Sequence, residues 1–259
     1  MLASAEIRAQ EKSRLNIISD DFHTALRDGG DLFSQPVKWE GNDWLKLTAV
    51  VGSSALLSTL DEKVQDIAYR NPDYSHSFPM KLGKWYGEPL ITAAVAGGFY
   101  AWGLFKPDKE ARQIGLEVTE SFIYSGLITT FIKVSVGRER PYVHHGQYSF
   151  RPFDAPLSPG ANDHFSWPSG HSTVAFSLAT VLASHSKNYL VKTLIYTPAV
   201  LTTVSRVYQD QHWVSDVFMG AAVGYFVGSY ITSKHSGDNT ADNISFGYTP
   251  GLIHFTLYF

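Results

Sequence analysis

Residues 166–183 read "SWPSGHSTVAFSLATVLA", a Pro-Ser-Gly-His turn set directly before an apolar run of helical length. Pro, Ser and Gly are the usual punctuation of a helix start, and Ser169 is a ready N-cap for the run that follows. The same turn has a chemical reading. The first turn of a helix carries unpaired backbone N–H groups and a partial positive charge, and Gly170 lets an anion come close to them. His171 then stands beside that anion, placed to give or take a proton. Both readings make 171–185 a helix; what the rest of the chain brings to the same place decides between them.

Working outward, the run from Asp43 to Arg70 and the segments 89–105, 110–136, 188–207 and 212–233 share this apolar helical texture, with few strand signals among them. They predict an all-α fold, a single helical bundle of about five to seven helices. Segment 141–167 is a long Pro/Gly/Asn-rich stretch with no helical period, and loops of that length in a compact domain are usually functional. The uncharged runs at 89–105 and 217–233 fall short of the roughly 20 apolar residues a membrane span needs. They are therefore expected as buried core helices. In the tail, "NISFGYTPGLIHFTLYF", a Thr-Pro-Gly turn separates two short segments, and Ile253, Phe255, Leu257 and Phe259 alternate on one face. A short C-terminal β-hairpin packed on the bundle is expected; one hairpin cannot close a membrane barrel.

Composition narrows the class. At 259 residues the chain suits one sizeable core. Hydrophobic residues make up 44% and charged residues 17%, which excludes a disordered chain. The net charge of −3 and a pI near 6.3 give no reason to expect nucleic acid as a partner, so any cationic site is local. The mean hydropathy of −0.10 is low for a set of membrane spans. The absence of cysteine excludes thiol catalysis, disulfides and zinc knuckles. The opening "MLASAEIRAQEKSRLN" shows no apolar h-region, so no signal peptide is visible.

Two further stretches bear on the turn. In "KVSVGRERP", Lys133 and Arg140 lie seven residues apart. A helix continued to Pro141 puts both cations on one side, two turns apart, beside the long loop. In "SRVYQDQHWVSD", Arg206 precedes His212 and Asp216, which are spaced i,i+4. On a helix that carboxylate reaches one ring nitrogen, fixing the tautomer and leaving the other nitrogen as a free lone pair. Each feature alone is usually structural: cations are solvated or paired, and a His near an Asp is commonly a packing pair. Together they supply cations for non-bridging oxygens, backbone donors, a nucleophile and a leaving-group acid, the set that phosphoryl transfer requires. His144 and His145 are given no role, His164 reads as a loop-surface residue, and Trp167 and Trp213 read as packing.

These three segments, Kx6RP from Lys133 to Pro141, PSGH from Pro168 to His171 and SRx5Hx3D from Ser205 to Asp216, resemble the signature of the type 2 phosphatidic acid phosphatase superfamily. That superfamily includes bacterial acid phosphatases, lipid phosphatases and vanadium haloperoxidases. The resemblance covers about residues 120–233 and implies metal-independent hydrolysis of a phosphate monoester through a phosphohistidine. On that pattern His212 attacks phosphorus, Asp216 orients it, and His171 protonates the leaving alcohol and then activates water. Lys133, Arg140, Arg206, Ser169 and Gly170 hold the phosphate. No cofactor or metal is implied, and vanadate is expected as an inhibitor or phosphate mimic. The chain divides into an N-terminal extension (1–40), a helical phosphatase domain (41–236) and a C-terminal β-hairpin tail (237–259). The expected substrate is a lipid-type phosphate, isoprenoid or glycerolipid, or else a broad range of soluble phosphate esters. A periplasmic or membrane-associated location with peripheral membrane contact accompanies either. The alternatives are a vanadium-dependent haloperoxidase, whose relatives resemble much longer chains, and a non-catalytic anion-binding helical protein.

Overall fold

The computed structural model describes residues 2–153, 160–236, 244–249 and 252–257. Its helices are α1 (Leu2–Lys38), α2 (Gly41–Ser58), α3 (Asp61–Tyr69), α4 (Phe78–Tyr86), α5 (Pro89–Phe105), α6 (Lys109–Val136), α7 (Gly170–Ser184), α8 (Tyr189–Tyr208) and α9 (Val214–Ser236). Nine α-helices among the described residues exceed the five to seven expected. The first thirty-eight residues, left without assigned structure in the sequence reading, are nearly all α1. The run from Asp43 to Arg70 holds two helices, α2 and α3. Ser58 and Thr59 turn their hydroxyls back onto the carbonyls of Ala55 and Leu56 at 2.7 Å, closing α2. Asp61 and Glu62 then supply the acidic first turn that favours a fresh start at α3. Strands β1 (Ile244–Thr249) and β2 (Leu252–Leu257) pair antiparallel, with Ile244 opposite Leu257.

The stretch that opened the reading is the axis of the bundle. From Ser172 to Val181 nearly every residue of α7 is buried, including Ala175, Leu178, Ala179 and Val181. Helix α9 lies against it through Gly220, Gly224 and Gly228, one small residue per turn. A Cβ on Gly220 would stand 2.3 Å from the Ser169 carbonyl oxygen, and one on Gly224 the same distance from that of Thr173. Only hydrogen at these positions allows the two backbones to approach so closely. Leu178 and Val181 of α7 also pack with Ala96 of α5 and with Ile114 and Val118 of α6. The starts of α7 and α9, and the ends of α6 and α8, are thereby gathered at one end of the bundle.

Helix α6 does not continue to Pro141. Gly137 adopts a left-handed conformation, φ +60°, and its N–H bonds the Lys133 carbonyl at 2.8 Å, ending the helix. A side chain there would strike the Arg151 carbonyl oxygen at 1.9 Å. Arg140 therefore lies beyond the helix on an extended segment, not two helical turns from Lys133. That segment is fastened to the long loop, Glu139 N–H to Ser149 O at 3.0 Å and Arg140 N–H to Asp163 O at 2.8 Å.

Candidate active site

The start of α7 matches its sequence reading in detail. Ser169 is the N-cap: its hydroxyl accepts from the Ser172 N–H at 3.4 Å and from the Ser172 hydroxyl at 3.0 Å. Its own N–H donates to the Asp216 carbonyl at 2.9 Å, tying the start of α7 to the start of α9. Gly170 follows, and Lys133 Cε lies 3.8 Å from where a side chain on Gly170 would begin. His171, on the first turn, has Nε2 3.5 Å from Glu88 Oε1, a carboxylate at the α4–α5 junction.

His212 sits in the turn before α9 and is almost fully buried. Its Nδ1 lies 2.9 Å from the Ser166 carbonyl oxygen and 3.7 Å from Asp216 Oδ2. A carbonyl can only accept, so Nδ1 carries the proton and Nε2 keeps its lone pair. The tautomer expected from the His-Asp spacing is the one found, but a backbone carbonyl, not the carboxylate, makes the hydrogen bond. Asp216 is occupied elsewhere. It accepts from the Trp213 N–H at 2.9 Å, closing the first turn of α9, and also from Arg138 and Ser166.

Three cations surround this imidazole. Lys133 donates to the Phe165 carbonyl. Arg140 donates to the Asn162 carbonyl and to Gln211 Oε1, both at 2.8 Å. Arg206, on the last turn of α8, reaches Gln209 Oε1 at 2.9 Å, while its buried Nε has no hydrogen-bond partner. Among the described residues no carboxylate oxygen lies within ion-pair distance of any of the three. Burial, together with the charges of Lys133, Arg140 and Arg206, pushes His212 well below its ordinary 6.5, so the ring is neutral near pH 7. All eight residues singled out from the sequence, Lys133, Arg140, Ser169, Gly170, His171, Arg206, His212 and Asp216, thus stand at this end of the bundle.

Several others there were not foreseen. Arg138 is buried, with Nη1 2.6 Å from Asp216 Oδ1 and Nη2 2.7 Å from Asp61 Oδ2. Ser215 donates to the same Asp61 oxygen at 2.6 Å. Trp213 covers the Arg138 guanidinium at 5.5 Å and donates to the Glu139 carbonyl, so its packing role stands. His164 is not a surface residue: its side chain is mostly buried, with Nδ1 3.4 Å from Glu139 Oε1. The one hint in the sequence was that "GRERP" holds more charge than the motif needs.

A buried neutral imidazole, flanked by cations without carboxylate partners among the described residues and by a second histidine at a helix start, is an arrangement able to receive an anion in a helical bundle. The model of the PAP2 superfamily matches residues 114–239. A lipid A 1-phosphatase of Rhizobium johnstonii is 33% identical over 200 residues, 73% of this chain and 78% of the relative. The chain belongs to the PAP2 superfamily. A lipid A 1-phosphatase of Porphyromonas gingivalis is 41% identical over 88 residues, 33% of this chain but only 19% of that protein. Lipid phosphate phosphatase gamma of Arabidopsis thaliana is 30% identical over 144 residues, 51% of this chain and 57% of the relative. The chain thus spans less than two thirds of these last two proteins. The fold is shared with the crystal structure of a transmembrane PAP2-type phosphatidylglycerolphosphate phosphatase from Bacillus subtilis, at a TM-score of 0.52 and 20% identity, covering 74% of this chain and 97% of that one.

Proposed function

We propose that this chain is a membrane-associated phosphatase that hydrolyses the phosphate monoester of a lipid through a phosphohistidine on His212. The observation that carries the reading is the buried Arg206 with the half-buried Lys133 and Arg140, all without carboxylate partners among the described residues, around an imidazole whose free nitrogen is Nε2. Lys133, Arg140 and Arg206 hold the non-bridging phosphate oxygens, helped by the backbone at Gly170. Nε2 attacks phosphorus; the bond from phosphorus to the leaving oxygen breaks, and His171 gives that oxygen its proton. His171 then takes a proton from water, whose oxygen attacks the phosphohistidine and releases inorganic phosphate and the free imidazole. Ser169 acts by capping α7 and keeping Gly170 and His171 in place. Asp216, locked by Arg138 and Ser166, holds negative charge near the imidazole when it becomes cationic. Vanadate, as a phosphate mimic, competes for the same cations.

The lipid substrate is supported by the relatives' names and by the surface. Ile123, Leu127 and Phe131 form an exposed apolar stripe at i, i+4, i+8 along α6 toward Lys133. Helix α9 is long and apolar enough to cross a membrane, although more than half of its apolar window is buried inside the bundle. A periplasm-facing site is the matching location.

The test is to incubate the enzyme with ³²P-labelled lipid phosphate in mixed micelles and quench with alkali. An acid-labile label on the wild-type chain that is absent from His212→Ala is expected. Turnover of His212→Ala at the wild-type rate overturns the mechanism. A kcat/KM for soluble aryl phosphate equal to that for lipid phosphate overturns the substrate class.

A further inference from the structure

At the opposite end of the bundle lies a second buried set of titratable groups that the phosphatase chemistry does not use. Glu117 and Glu120 stand near the start of α6, His185 just past the end of α7, and His235 on the last turn of α9. Asp28 enters from α1. Along α6, Glu120 is separated from Lys133 by about 20 Å, at 1.5 Å per residue. Asp28, Glu117 and Glu120 are each at most 2% exposed. His235 Nε2 lies 2.9 Å from Asp28 Oδ2 and 3.4 Å from Glu120 Oε2.

Glu120 is the anomaly. It is 1% exposed, yet neither carboxylate oxygen accepts a hydrogen bond; the approach of Oε2 to His235 lacks hydrogen-bond geometry. An anionic acceptor buried in this way costs several kcal/mol unless something cationic meets it. One oxygen of Asp28, one of Glu120 and one ring nitrogen of His235 all lie within 4.8 Å of one another. Donor atoms bound to a single ion at about 2.1 Å stand about 3.0–3.5 Å apart; here His235 Nε2 hydrogen-bonds Asp28 Oδ2 at 2.9 Å and lies 3.4 Å from Glu120 Oε2, so an ion would replace the proton shared by His235 and Asp28. The remaining groups are arranged as supports. Lys234 holds the other Asp28 oxygen at 3.1 Å. Glu117 lies 3.5 Å from His235 Nδ1, with its second oxygen 2.7 Å from His185 Nε2. A carboxylate behind a ligating imidazole is the usual means of orienting it. A cavity of about 450 Å³ reaches Asp28 and His235; Arg27, Lys109, Arg112 and Lys234 also line it, and Glu120 does not.

We propose that Asp28, Glu120 and His235 bind one divalent transition-metal ion that ties α1 to α6 and α9. Two carboxylates and an imidazole suit Zn²⁺ or Mn²⁺ better than Mg²⁺, which prefers an all-oxygen shell. The ion is structural, remote from the phosphate site. Its ligands are scattered over two hundred residues, so no motif spacing announces it.

The test strips the full chain with chelator, reloads it separately with Zn²⁺, Mn²⁺ and Mg²⁺, and reads bound metal by mass spectrometry beside the melting temperature. About one Zn²⁺ or Mn²⁺ per chain, with a rise in Tm that Mg²⁺ does not give, is expected. Glu120→Gln should lose both the ion and the rise, while His212→Ala keeps both. Should Glu120→Gln fail to fold by circular dichroism, Asp28→Asn removes a ligand from α1 outside the bundle core and must lose the ion. No stoichiometric metal on the wild-type chain, retention by the folded carboxylate variants, or loss in His212→Ala overturns the proposal.

Discussion

Arg138 and Arg206 are both buried at the same end of the bundle, yet their surroundings are opposite. Arg138 is held between Asp61 and Asp216, with Ser215 and the Gln147 carbonyl filling its remaining donors. Among the described residues the Arg206 side chain bonds only Gln209 and leaves a buried N–H without a partner. One guanidinium has its donors filled by the protein itself; the other keeps a buried donor unfilled, as the proposed anion-binding role of Arg206 requires. Burial by itself therefore does not separate structural from functional cations, whereas the presence of a fixed counter-ion does.

Substitution should break the pair apart. Arg138→Met strands two buried carboxylates, and removing one partner of a buried ion pair costs about 3–5 kcal/mol. A fall in Tm of many degrees is expected, with activity lost as the fold goes. Arg206→Met is expected to lower kcat/KM by on the order of 10²-fold, the usual effect of deleting one donor to transition-state charge. It should leave Tm unchanged or slightly raised without phosphate, because it removes an unsatisfied buried donor. Inorganic phosphate or vanadate should stabilise the wild-type chain more than Arg206→Met. If Arg206→Met melts as early as Arg138→Met, the distinction between them fails.

The same contrast explains what was legible in the sequence. That Lys133, His171, Arg206 and His212 would be brought to one place was readable, because motif spacing and helix-start geometry limit where they stand. Arg138 and Asp61 were not, since an arginine inside "GRERP" says nothing of a carboxylate 77 positions away. Helix-level errors are local competitions of the same kind. Gly137, in a left-handed cap, ended α6 before Pro141 was reached, which moved Arg140 off the helix. The order of the core helices was legible because their apolar runs are long. α1 was passed over although Leu15, Ile18, Phe22, Leu26 and Phe33 recur at helical spacing; these side chains are exposed, and polar pairs such as Arg112–Asp21 and Tyr100–Asp21 help to join α1 to the bundle.

Acidification probes the unpaired cations more gently. His212 is held below its ordinary 6.5 by burial and then by the charges around it, so the native ring stays neutral where an unfolded one takes up a proton. Between its depressed native value and 6.5 the unfolded chain binds more protons, and His212 contributes a loss of stability as pH falls through that window. Activity should show an acid limb below pH 6.5, since the nucleophile remains unprotonated there. In Arg206→Met the limb should move upward, because one of the charges opposing protonation is gone. An acid limb at 6.5 or above in the wild-type enzyme, from kcat/KM against pH, would contradict a neutral buried His212.

The smallest effect expected is at Ser169, and it separates capping from phosphate binding. If the hydroxyl serves α7 by accepting from Ser172, Ser169→Ala costs about 1 kcal/mol of stability, as an N-cap does, and Ser169→Gly only a few tenths. If it serves chiefly by donating to phosphate, both variants lose the same donor and fall equally in kcat/KM while their stabilities differ little. The geometry favours the first outcome, because Ser172 donates to the hydroxyl through both its N–H and its own hydroxyl, at 3.4 and 3.0 Å. Acceptance of two donors still leaves the Ser169 proton free to turn toward a bound oxyanion. A Tm difference between the two variants, together with a similar modest loss of kcat/KM in both, would then show one hydroxyl capping the helix and meeting the phosphate at once.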